Sequence, residues 1–483
     1  MIDRVIAGGW VVTPDVEGLM DVGISGEQIA YVAPAGTIPV PESAERIDAT
    51  GLVVTPGGIE SHAHVHEPMY RGWTEGRDVW LQSPEGATRA AAFGGTTTVL
   101  SFAFLDVHVA DKPYDTLEAI EQRRSIFTGR SFVDFAFHPV MTGSASPETL
   151  ASIRTAIEAG TPSFKLFTTD VTTGQSGIRI DRGAMLDALR IAADAGGLIM
   201  VHAEDDDLLK YNEARLRRSG KNQLEHMREA HTPFGEALAL AETSRLAREA
   251  GAAVYFVHLT AGAALDVVRV ERAAGRPIYG ETLHNLLCFN DRDYLRPDGA
   301  RFHIGMGLAA PEDQAALWEG ILDGSIATLA TDEYTTSLAV KMGGHDIETV
   351  PGGHVGIETR GMILYTEGVQ RRGLSLRRFV DLFATNPARL FGLYPRKGAI
   401  APGSDADLAL WDPTAHRTIT MGDLHHDGDY SPWEGWEVGV WPVSTYLRGQ
   451  PVVAAGKLLG GPDRGQWISR RIDPEVLANP MPG

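Results

Sequence analysis

The feature that most limits how this chain can fold is an alternation running through its middle. Apolar, strand-like runs recur at 52–56, 97–102, 133–137, 163–167, 197–201, 254–257, 277–280 and 326–330. Each has the length of a buried parallel strand. Helical patterns lie between them, as in Arg182 to Ala195 and in Phe234 to Ala250, the latter rich in Ala, Leu, Glu and Arg. Eight strands interleaved with helices predict a (β/α)8 barrel, the TIM-barrel α/β class, enlarged by insertions. An open doubly wound sheet is the competing arrangement, but no glycine-rich dinucleotide fingerprint supports it.

The two ends differ from the middle. Val5-Ile6, Trp10-Val11-Val12, Asp21 to Ile24 and Gln28 to Val32 are short, β-branched and separated by glycine, proline and acidic turns. The same texture returns in Asp407 to Trp411, Pro442 to Leu447 and Pro451 to Ala455. A chain of 483 residues exceeds what one core usually organises. Residues 1–52 and 400–460 are therefore expected to join as one small β-sandwich domain, with the barrel at 53–399 inserted between them. The tail, 461–483, is rich in Gly, Pro and Arg without apolar periodicity. It is expected either to be loose or to pack on another subunit.

Charge and cysteine content narrow the function. With 63 acidic against 43 basic side chains the net charge is -20, which disfavours nucleic acid or an anionic membrane as partner. Cys288 is the one cysteine, so no intramolecular disulfide forms and no cysteine-based zinc site is available. Met1 to Ile6 lacks the layout of a signal peptide, and no apolar stretch approaches the roughly 20 residues that span a bilayer. A cytoplasmic location is the expectation.

In a barrel of this kind the chemistry sits at the C-terminal ends of the strands. Reading those positions gives His62 and His64 after the first strand, Lys165 within Ser163-Phe164-Lys165-Leu166-Phe167, His202 in Val201-His202-Ala203-Glu204, His258 in Val257-His258-Leu259, and Asp332 in Thr331-Asp332. The two histidines of His62-Ala63-His64 share one face of an extended strand. Four histidines, a lysine and an aspartate thus converge on one barrel mouth. An ammonium among cations is repelled, and burial disfavours its charge. Lys165 is therefore read as a neutral amine that captures carbon dioxide to become a carbamate, N6-carboxylysine, able to bridge two metals about 3.5–4 Å apart. Imidazole and oxygen donors suit zinc, manganese or cobalt. Two cations sharing a water hold it as hydroxide near neutral pH, and Asp332 would orient it, take its proton and pass that proton to a leaving nitrogen.

At this point the chain resembles the cyclic amidase branch of the amidohydrolase superfamily, dihydropyrimidinases and hydantoinases above all. The resemblance rests on Pro56-Gly57-Gly58-Ile59 leading into the histidine pair, on Phe93 to Thr98, Ser163 to Lys165, Val201 to Glu204 and Tyr279 to Thr282. The run Thr385 to Gly398, Asp429-Tyr430 and Trp433 to Glu437 add to it. It implies a binuclear zinc site in which His62, His64 and Asp332 hold one ion, His202 and His258 the other, and carboxylated Lys165 bridges. It also implies Asp332 as catalytic acid and base, and a homo-oligomer, tetramer or dimer. The implied reaction is hydrolysis of the amide bond of a dihydropyrimidine or 5-substituted hydantoin. Allantoinase is the alternative, suggested by His66-Glu67-Pro68; a non-catalytic scaffold would lack several of the six ligands.

The sequence also departs from that branch. Hydantoinases carry an oxyanion-stabilising tyrosine five residues after the lysine; here Asp170 stands there. Thr168, Thr169 or His284 are candidates to replace it, or the metal alone suffices. Glu333 replaces the usual histidine after the aspartate, and Gly352 falls where an asparagine backbone contacts the ring. His66 stands where dihydroorotases place an arginine for a carboxylated substrate. Met69, Tyr70 and Trp73 are expected to wall the pocket around a ring substituent.

Overall fold

A computed structural model describes residues 1–104, 116–143, 145–171, 176–344 and 346–481. Its centre is a barrel of parallel strands: β1 (Gly58–Ala63), β2 (Thr96–Ala103), β3 (Asp134–Pro139), β4 (Ser163–Phe167), β5 (Leu198–His202), β6 (Val254–Phe256), β7 (Ile278–Leu283) and β8 (Thr328–Ala330). Strands β1 to β3 pair as one run and β4 to β8 as another. Two seams close the ring. Val140, just beyond β3, bridges Lys165 of β4, and Ala63 of β1 bridges Glu333, just beyond β8. The His64 amide donates to the Glu333 carbonyl at 2.8 Å across the second seam.

Strand alternation decides which side chains enter the barrel. On β4, Phe164 and Leu166 pack outward with Ile199 and Val201 of β5 against the helices. Lys165 and Phe167 are left facing inward, and Lys165 pairs with Met200 while Phe167 pairs with His202. The helices begin where the sequence places caps: Asp181 caps Arg182–Ala195 and Thr232 caps Pro233–Ala250 through their side chains, and each helix ends at a left-handed glycine, Gly196 or Gly251.

Both ends of the chain build one separate sheet. Arg4–Val12, Glu17–Ser25 and Gln28–Pro34 join Leu408–Asp412, Trp441–Leu447 and Gln450–Ala454 around a core that includes Ile6, Val22, Ile24, Leu408 and Leu410. The run at 52–56, expected as the first barrel strand, belongs to this sheet instead. Val53–Pro56 lies parallel to Trp10-Val11 and antiparallel to Leu408–Trp411. The true first barrel strand begins two residues later, because the Gly57-Gly58 pair is a crossing point and not a turn. A Cβ on Gly57 would sit 2.2 Å from Thr97 Oγ1, and one on Gly58 would sit 2.4 Å from the Phe383 ring.

A buried ion cluster ties the two parts together. The Lys397 ammonium lies 2.7 Å from Asp134 of β3 and 2.5 Å from Asp407, and Arg448 also pairs with Asp134. The tail is not loose: through residue 481 it packs on its own barrel. Trp467 bridges Phe135, Arg470 donates to Ser163 Oγ at 2.9 Å and to the Phe391 carbonyl at 3.2 Å, and Ile468, Ile472 and Val476 join Leu198, Tyr255 and Tyr279 in the barrel interior.

Candidate active site

At the opposite end of the barrel the predicted residues meet. His62 Nε2 lies 3.0 Å and His64 Nε2 3.3 Å from the same oxygen, Asp332 Oδ1. His202 Nδ1 lies 3.0 Å from His258 Nε2, and the His62 and His258 ring centres are 5.5 Å apart. Donor atoms of His62, His258 and Asp332 all lie within 4.8 Å of one another. His258 and Asp332 hold φ of 42° and 51°, a backbone state costly for residues with a Cβ and typical of functional sites.

The outward-facing ring nitrogens are fixed by carboxylates. His62 Nδ1 lies 2.6 Å from Glu281, His64 Nδ1 2.9 Å from Glu67, and His202 Nε2 3.0 Å from Glu204. A carboxylate only accepts, so each of these nitrogens carries a proton. The inner nitrogens of His62 and His64 face Asp332. Against burial, Asp332 and Glu281 raise the His62 pKa to about 9, so a cation bound there would take the place of the inner proton. This is the arrangement in which metal-ligating histidines are held. Glu204 is braced in turn by His231 at 2.7 Å. The donor set therefore fits divalent cations. The other carboxylate group, Asp134 with Asp405 and Asp407, is filled by the Lys397 ammonium.

Lys165 is buried beside Phe102 and Phe167, its Nζ 4.9 Å and 5.0 Å from their ring centres. The Nζ itself makes no hydrogen bond or ion pair with a described residue. Burial pulls its pKa down to about 8, against the opposing pull of the Asp332 and Glu281 carboxylates. Burial acts against the charge of Asp332 too, yet His62 and His64 hold that carboxyl well below its usual range.

Above these groups opens a cavity of about 300 Å³. Met69, Tyr70, Trp73 and Gly352 line it, together with Phe104, Phe167, Ile304, Met306 and Tyr334. Thr168, Thr169, Asp170 and His284 do not. The Thr168 hydroxyl donates to the Glu204 carbonyl at 2.7 Å, and Thr169 Oγ1 donates to Asp206. The Asp170 carboxylate accepts from the Ile178 and Arg179 amides and from Lys210. His284 stacks on Trp433, with its Nε2 3.3 Å from Thr359 Oγ1. Glu333 fastens the site's floor, accepting from the Gly356 and Ile357 amides and from Gln82.

Sequence reasoning assigned no role to Glu67, Glu204, Glu281 or Tyr334. Glu67 and Glu204 were accessible through spacing, three and two residues after a site histidine. Glu281 was not, because its partner lies on a distant strand.

A parallel barrel with imidazoles and a carboxylate gathered at its C-terminal mouth defines a class of metal-dependent hydrolases. Residues 53–452 match the amidohydrolase family, and the chain belongs to it. It is similar over nearly its whole length to D-hydantoinase of Streptomyces coelicolor, 34% identical with 96% of this chain and 97% of that one covered. It is equally similar to D-phenylhydantoinase of Escherichia coli O1:K1, 34% identical over 98% and 99%. Among solved structures, dihydropyrimidinase from Brevibacillus agri superposes with a TM-score of 0.89 at 30% identity, covering 97% of this chain and 98% of that one. Among the described residues no helix is long and apolar enough to cross a membrane.

Proposed function

We propose that this chain opens the ring of a cyclic amide, a 5-substituted hydantoin or dihydropyrimidine, by adding water across an amide bond. The observation that supports the reading is the convergence of His62, His64, His202, His258 and Asp332 around the Lys165 amine, beneath the cavity. His62, His64 and Asp332 would hold one divalent cation and His202 and His258 a second, with Lys165 bridging as its carbamate. That group forms when the neutral amine adds to carbon dioxide and releases a proton. Zinc suits the imidazole and oxygen donors, as do manganese and cobalt. When bound, such a pair lowers the pKa of water and polarises a carbonyl.

The chain's own residues do the rest. Asp332, held ionised beside His62 and His64, takes a proton from the attacking water. The oxygen bonds to the carbonyl carbon, the C–N bond breaks, and Asp332 delivers the proton to the departing nitrogen. A carboxylate and a freed amide or amine nitrogen result. The outer carboxylates Glu281, Glu67 and Glu204 orient the rings of His62, His64 and His202.

Met69, Trp73, Phe104, Ile304 and Met306 make the cavity wall largely apolar, which suits a ring bearing an apolar substituent over a polar ureide such as allantoin. The single cysteine fits the reducing cytoplasm, and the likeness to hydantoinases supports a homo-oligomer, tetramer or dimer. Ring opening of dihydrouracil, hydantoin, phenylhydantoin and allantoin, followed by ultraviolet absorbance, tests the reading. Turnover of the substituted hydantoin above allantoin is expected; turnover of allantoin alone would replace it.

A further inference from the structure

Tyr334 leaves β8 two residues after Asp332, and the local backbone leaves it little freedom. Its own amide donates to the His354 carbonyl at 3.0 Å. Its neighbour Glu333 is turned away from the cavity and anchored on the Gly356 and Ile357 amides. Asp332 and Tyr334 are thereby left on the cavity side. The Tyr334 ring meets the His64 ring edge-on at 5.4 Å and stands 6.4 Å from Trp73. Behind it the chain is Gly353, with φ of 85°, where an added Cβ would fall 2.2 Å from Tyr334 Cβ. The missing side chain is what gives this phenol its place.

The phenol lines the cavity, and its hydroxyl makes no hydrogen bond with any described residue. An O–H in a mostly apolar wall loses its water partners when a substrate fills the space, and it needs a replacement acceptor. The hydroxyls just after β4 are committed, Thr168 to the Glu204 carbonyl and Thr169 to Asp206, while Ser61 and Thr331 do not line the cavity. Tyr70 also lines the cavity, but its ring packs on Trp73 and lies over Gly72. Tyr334 is the phenol that touches a site histidine.

We propose that the Tyr334 hydroxyl donates a hydrogen bond to the carbonyl oxygen at the bond being broken, and that this bond tightens as the oxygen gains charge. The proposal rests on the ring-opening reading above. The proton stays on the phenol throughout; addition of water moves the carbonyl π pair onto the oxygen that Tyr334 holds, and collapse returns it as the C–N bond breaks. A donor fixed in place before reaction costs no reorganisation when charge appears, which is why removing one such donor typically slows an enzyme about 10²- to 10³-fold.

The test is Tyr334→Phe, which keeps the ring against His64 and Trp73 and removes only the hydroxyl. With metal-loaded protein and the substituted hydantoin, kcat is expected to fall about 10²-fold or more while KM changes less than about threefold. Affinity for a cyclic phosphonamidate, tetrahedral where the carbonyl carbon sits, should weaken by a similar factor. Thermal midpoint and metal content should match the unaltered protein. A kcat within threefold of the unaltered protein, or unchanged affinity for the tetrahedral analogue, overturns the assignment and leaves the ring-opening reading intact. An unaltered protein that opens no ring in the panel overturns both. A fall in kcat accompanied by lost metal or a lowered thermal midpoint overturns it in favour of a structural role.

Discussion

Glu281 Oε1 lies 2.6 Å from His62 Nδ1, although 219 positions of sequence separate the two residues. Neither side chain is exposed to more than 1%. The same carboxylate accepts the His258 amide at 3.1 Å, and its other oxygen accepts the Tyr255 hydroxyl at 2.6 Å. One glutamate on β7 thus orients the ring of one site histidine and holds the backbone of another.

Glu281→Gln is therefore expected to weaken metal binding about 10- to 100-fold, since the amide no longer acts only as an acceptor toward His62 Nδ1. Chelator competition measures it. Unchanged affinity would show that His62 is oriented by other contacts.

Lys341 gives a second prediction. Its ammonium is fully buried and donates to three backbone carbonyls, His303 at 2.5 Å, Pro351 at 2.7 Å and Gly353 at 2.6 Å. These contacts hold Gly352 and Gly353 in the cavity wall. Lys341→Met strands all three acceptors, and a loss of about 3 kcal/mol in unfolding free energy is expected from denaturant titration. KM should rise more than kcat falls, because the wall moves while the metal-side groups stay. A loss under about 0.5 kcal/mol would mean that water satisfies the carbonyls.

The third concerns pH. Burial raises the pKa of Glu236 from 4.5 to about 8, against the pull of its hydrogen bonds from Thr260. The folded chain then keeps a proton that the unfolded chain releases above about pH 4.5, so this residue makes stability fall as pH rises toward 8, beyond which both states have lost it. Glu236→Gln retains partners for the Thr260 amide, 2.9 Å away, and hydroxyl, 2.5 Å away. It should stabilise the chain by roughly 2–4 kcal/mol at pH 8 and by almost nothing at pH 4. Equal effects at both pH values would contradict the assignment.

How much of this was legible in the sequence follows from what period-2 alternation can encode. Position at a strand's C-terminal end singled out Lys165 and His202, which the structure turns inward while Phe164, Leu166, Ile199 and Val201 claim the other face; apolarity marked the strands themselves. It misplaced the first barrel strand because Val53–Pro56 is apolar and buried in the terminal sheet just as it would be in a barrel. Apolarity reports burial, not the sheet in which it occurs. Asp170 and His284 are polar residues near strand ends, and only coordinates show that one is spent on two backbone amides and a lysine and the other lies behind the cavity wall. Tyr334 escaped notice because an aromatic after a strand reads as packing. The tail was illegible because its anchors, Arg470 on backbone carbonyls and Trp467 on Phe135, carry no periodic signature.

The most direct measurement is the number of metal ions per chain, by elemental analysis after expression with zinc and bicarbonate, in the unaltered protein and in Lys165→Ala. About two ions are expected in the first, and loss of metal together with ring-opening activity in the second, with partial rescue by short carboxylic acids that take the carbamate's place. A Lys165→Ala protein that keeps both its metal and its full activity would contradict the bridging role on which the site is built.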